Sequence, residues 1–129
     1  MWLGGEYTVG MNPYTNWVNG GYAVSTNLTY SVPMSAVHDA IATSVHWVAS
    51  AATADASNKW TLDLRYSGAT SILTLTKDTN GNSYLTGTPT ATVLTQATQK
   101  QLYIEYTKAG VPANLTNNAV GVTFRYVRK

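Results

Sequence analysis

Cysteine is absent from the 129 residues, which excludes a disulfide framework, a thiolate metal site and a thiol nucleophile. Charge is scarce as well. Only 11% of the residues are Asp, Glu, Lys or Arg, against roughly 25% in ordinary soluble domains. The net charge is +2, and the eight basic residues are scattered from Lys59 to Lys129. A nucleic-acid surface neutralises several phosphates with clustered cations, so nucleic acid is not an expected partner. No apolar run approaches the ~18–20 residues of a membrane-spanning helix, so no membrane is expected either. Phenylalanine occurs once, and the only imidazoles are His38 and His46. P-loop, dinucleotide fingerprint and HExxH are all missing.

Thr, Asn, Ser and Gly fill the place of the missing charge, and the aromatics are nine Tyr and four Trp. Two readings stand side by side. A Thr- and Tyr-rich chain is a good β-former. Tyr and Trp are also the aromatics preferred at interfaces, where one edge is buried and the other meets polar groups.

Lys59–Tyr66 sets the pattern for the chain. Trp60, Leu62, Leu64 and Tyr66 alternate with Thr61, Asp63 and Arg65, so a strand here has one dry face and one wet face. The same alternation recurs in Ser44–Ala51, Ser71–Lys77, Lys100–Thr107 and Ala119–Val127. Short strands are also expected at Glu6–Val9, Tyr22–Ser25, Asn27–Val32, Ser83–Thr86 and Thr90–Thr95. Turn formers every 8–12 residues are the spacing of an antiparallel β-sandwich. The predicted core is Trp60, Leu62, Leu64, Leu73, Leu75, Leu102, Ile104, Val122 and Phe124.

Asn19–Gly20 reads as a hairpin turn between Trp17–Val18 and Tyr22–Val24, and Asp78–Asn82 as the loop of a second hairpin. Ser35 caps an expected short helix over residues 35–42, with Val37 and Ile41 on its apolar face. Residues 1–22 carry Trp2, Tyr7, Tyr14, Trp17 and Tyr22 between glycines, without regular alternation. They read as an N-terminal arm ahead of a sandwich domain at 23–129, with those five aromatics as interface candidates.

No catalytic, cofactor-binding or metal-binding residues are assigned. Neither His38 nor His46 lies in a recognisable nucleophile motif. Asp63 and Glu105 fall on outward faces with Arg65 close by, which reads as charge pairing rather than a glycosidase pair. Asp78–Asn82 lacks the glycine and glutamate positions of a calcium loop.

The segments Trp60–Tyr66, Ser71–Lys77, Leu102–Ala113 and Val120–Tyr126 together resemble the late strands of small jelly-roll domains from bacteriophage and archaeal-virus virions. These act as capsid decoration or cement proteins and fibre heads. The resemblance implies a single jelly-roll sandwich and a non-enzymatic role in the virion. It implies a homotrimer that binds the major capsid protein or another virion protein. The alternatives are a fibre or receptor-binding head, with a glycan as its ligand, and a carbohydrate-binding module using Trp2, Trp17 or Tyr84.

Overall fold

Alternation along each segment becomes pairing across two sheets. The protein is described by a computed structural model over residues 14–32, 39–66, 70–94 and 102–127. In chain order its strands are β1 (Tyr14–Val24), β2 (Leu28–Val32), β3 (Asp39–Ala51), β4 (Lys59–Tyr66) and β5 (Thr70–Lys77). They are followed by β6 (Gly81–Gly87), β7 (Val93–Leu94), β8 (Leu102–Ala109) and β9 (Leu115–Val127). Sheet A has the order β1-β9-β3-β6, with the two-residue β7 also on β3, and sheet B has the order β2-β8-β4-β5. Every pairing is antiparallel.

The pairs β4–β5, β3–β6, β2–β8 and β1–β9 nest one inside the next, as in a single long hairpin. Successive pairs fall in alternate sheets, so the hairpin is rolled up into a sandwich. That is the jelly-roll strand order. The core lies between the sheets. Val45, Trp47, Ala49 and Ala51 of β3 and Val120, Val122 and Phe124 of β9 meet Trp60, Leu62 and Leu64 of β4 and Leu102, Ile104 and Tyr106 of β8. Leu73 and Leu75 are only half-buried, packed against this core from the edge strand β5.

Several sequence expectations change here. The helix over 35–42 is not formed at residues 39–42, which open β3 and pair with Phe124 to Val127 of β9; residues 35–38 lie outside the described residues. An apolar pair at i and i+4 shares a face in a strand as well as in a helix, because four is an even number. The partner strand decides between the two, and β9 is long enough to pair with all of β3.

The hairpin at Asn19–Gly20 is replaced by a single strand. β1 runs through Asn19, Gly20 and Gly21 against β9, with its register shifting between Val18 and Tyr22. The glycines accommodate an irregularity instead of a reversal. Residues 14–22, read as part of an arm, therefore form most of β1. The second expected hairpin is not a hairpin within one sheet. The chain leaves sheet B after Lys77 and enters sheet A at Gly81. Gly81 has a φ of 78°, but Asn80 does not share the left-handed conformation that a type I′ turn requires.

Candidate functional site

The interior is closed by its own hydrogen bonds. Asn117 is left-handed, with φ 49°. It takes up an extra residue where Val48 and Ser50 pair with Ala119 and Thr116, so that Leu115 and Asn118, three residues apart, both face the core. There Asn118 Oδ1 accepts from Trp47 Nε1–H at 2.6 Å, and Asn118 Nδ2–H donates to Tyr106 Oη at 2.8 Å. On the opposite sheet, Trp60 Nε1–H donates to the carbonyl of Ala113 at 2.8 Å. Both buried indoles thus have acceptors, as burial requires. Sequence reasoning missed Asn118, since alternation from Val120 continues inward through it but its polarity argues for the surface.

One end of the sandwich is a cluster of interlocked loops. Asp55 Oδ1 accepts from the backbone of Ser57 and of Asn58, each at 2.8 Å, and Asn58 Oδ1 accepts from Val111 N at 2.9 Å. These bonds to the ionised carboxylate, the Asn58 side chain foremost, hold the Asp55 pKa below its usual value. Gly110 sits against this loop with φ 67°, and a Cβ there would run into Asn58 Oδ1 and Ser57 O. Asn80 Oδ1 accepts from Ala54 N at 2.8 Å, and Asn27 Oδ1 from Lys108 N at 3.0 Å. Lys77 is buried among these loops with its ammonium donating to the carbonyl of Thr79. Burial lowers its pKa, partly opposed by the charge of Asp78. The cluster is a stapled end cap with its polar groups turned on one another.

The outer face of sheet B holds a cluster of charged residues. Asp63 pairs across β8 with Glu105 and across β5 with Thr74. Arg65 Nε lies 2.9 Å from Asp63 Oδ2 and 3.2 Å from Glu105 Oε1. Ser71 donates to Asp63 Oδ1, and Thr74 does so at 3.3 Å. The two carboxylates therefore come together, as the outward alternation foresaw, with an arginine between them. Acid–base work on a glycosidic bond needs two carboxylates facing across a cleft, and these lie side by side on one sheet face.

His46 lies on the outer face of sheet A, half-buried. Its Nε2 is 3.3 Å from Ser44 Oγ and its Nδ1 is 2.8 Å from Tyr84 Oη. A hydroxyl, an imidazole and a third group in a row invite comparison with a hydrolytic triad. If Tyr84 donates to Nδ1, Nε2 carries the proton and Ser44 is not activated. In the other tautomer an imidazolium formed at His46 would face a neutral phenol, where a triad places a carboxylate. Tyr84 is 65% exposed, so the row lies open to water. His38 lies outside the described residues.

Among the interface candidates, Tyr14, Trp17 and Tyr22 fall on β1, an edge strand of sheet A. Trp2 and Tyr7 lie outside the described residues. No group of three or more metal-ligating side chains occurs among the described residues. Neither a protein-family model, nor a curated protein, nor a solved structure matches this chain.

Proposed function

We infer that this chain is a non-enzymatic structural protein of a virion, a jelly-roll that decorates and stabilises the capsid shell as a closed homo-oligomer, a trimer. The observation that carries this reading is a jelly-roll whose interior is filled by its own side chains. Trp47, Trp60, Tyr106 and Phe124 are fully buried between the sheets. Fold alone does not decide function, but a filled interior moves function to the faces and edges. Among the described strands, β1, β6 and the two-residue β7 of sheet A and β2 and β5 of sheet B lie at edges, and offer backbone groups that neighbouring subunits can cover. A surface of Thr, Ser, Asn and Tyr exchanges hydrogen bonds across such contacts with less desolvation than Lys and Glu.

Sedimentation of the isolated protein over a wide concentration range tests the assembly, with a trimer expected. Removing residues 1–13 leaves every strand of the described residues in place, and should give a folded monomer. A monomer at every concentration overturns the oligomer. Proteomics of virus particles from the source culture tests the location. The chain should occur in fixed ratio to the shell protein, and its absence from particles would sink the virion reading. The rival glycan-binding reading draws support from Tyr84, exposed on the outer face of sheet A.

A further inference from the structure

Tyr84 combines two properties that rarely coincide, high exposure and a fixed orientation. Its hydroxyl is held 2.8 Å from His46 Nδ1. The two rings differ by 20° in plane with centroids 5.9 Å apart. A hydrogen bond to Nδ1 runs along the imidazole plane, so the tyrosine oxygen lies close to both ring planes. Rings so joined form one shallow plate, edge to edge, rather than a face-to-face stack. His46 is held from its other side by Ser44, so much of the ordering cost of an exposed aromatic is met before any ligand arrives.

The surroundings narrow the ligand class. Asn82 and Thr86 flank Tyr84 on β6 and are exposed. The partner of His46 on β9 is Gly121, which places no side chain beside the plate. None of Ser44, His46, Asn82, Tyr84, Thr86 and Gly121 is an Asp, Glu, Lys or Arg. A phosphate or an acidic peptide would need cations that the patch does not offer. A flat aromatic surface beside the exposed Val48, the partner of Tyr84 on β3, and rimmed by an amide and hydroxyls matches a sugar ring, which has an apolar C–H face and a polar girdle and is itself uncharged.

The geometry points to a neutral-saccharide subsite on the β3–β6 face, with Tyr84 as the stacking ring, His46 as its positioning residue, and Asn82 and Thr86 as partners for sugar hydroxyls. The subsite belongs to a single chain and does not rest on the virion reading; either stands if the other fails.

The test titrates the full-length protein with neutral oligosaccharides of glucose, galactose, mannose and N-acetylglucosamine. A sialylated and a sulfated oligosaccharide serve as charged controls, and the Tyr84 and His46 ring resonances are followed by NMR. At least one neutral saccharide should shift both rings saturably. Tyr84→Ala should weaken that binding about tenfold or more, with the resonances of Trp47 and Trp60 reporting that the core is intact. Tyr84→Phe keeps the ring face and loses the bond to His46, so its loss should be smaller. Silence with every neutral saccharide at millimolar concentration overturns the assignment. So does tighter binding of the charged controls, binding that Tyr84→Ala leaves unchanged, or equal losses for Phe and Ala.

Discussion

On the outer face of sheet B, Asp63 is buried to 9% exposure, whereas on the outer face of sheet A Tyr84 is 65% exposed. Both point away from the core, and by residue type the order should be reversed. The reason is lateral position. β4 has β5 on one side and β8 on the other, so Asp63 is flanked by Thr74 and Glu105, with Arg65 and Ser71 closing over it. Among the described strands β6 is at the edge of its sheet, and Tyr84 has a neighbouring strand on one side only. Alternation decides whether a side chain faces in or out. Its place across the sheet decides whether an outward one still meets water.

The largest effect expected breaks both faces at once. Leu64 lies on the inner side of β4, fully buried beneath the Asp63 cluster. Leu64→Ala should cost about 2–5 kcal/mol in denaturant unfolding, from lost transfer energy plus the cavity left behind. A loss under about 1 kcal/mol would mean that the two sheets pack loosely enough to collapse around the gap.

A smaller effect separates the faces. Asp63→Ala removes the acceptor of Ser71, Thr74 and one bond of Arg65. Arg65 keeps Glu105, at 3.2 Å, and its side chain is 30% exposed, which screens the ionic part. Charge-assisted hydrogen bonds in this setting point to a loss of about 1–2 kcal/mol. A stability change indistinguishable from zero would show the cluster to be ordinary surface pairing, and the contrast with sheet A would shrink to one of composition.

The alternation of Lys59–Tyr66 was read correctly down to its ends, because one residue type per face leaves a strand a single usable register. The same held for Trp60, Leu62, Leu64, Leu102, Ile104, Val122 and Phe124, all buried together, and for Asp63 facing Glu105. What failed was decided by partners distant in sequence. Asp39–Ala42 became strand because β9 extends to Val127, and Asn19–Gly20 stayed inside β1 because β9 pairs on both sides of it. The loop at Asp78–Asn82 crosses between sheets because β6 pairs with β3 rather than β5. Of the candidate binding residues, Tyr84 was legible as an exposed aromatic. Its bond to His46 was not, since 38 residues separate the two and only the β3–β6 register brings them together.

The smallest effect expected is at Tyr84 itself, and it sharpens the comparison most. Tyr84→Thr keeps a residue suited to a strand while removing the ring and its bond to His46. Since the ring is exposed on an edge strand and bonded to a half-buried imidazole, unfolding free energy should change by no more than about 0.5 kcal/mol. The side chain would then be dispensable to the fold that carries it, unlike the equally outward Asp63. A cost above about 1 kcal/mol would reverse that conclusion. The phenol–imidazole bond would then serve as a clasp between β3 and β6, the counterpart of the arginine bridge on the other sheet. Fold and ligand binding are therefore read in separate experiments on the same residue, and only a stable, ring-deleted protein lets a loss of saccharide binding be assigned to the plate.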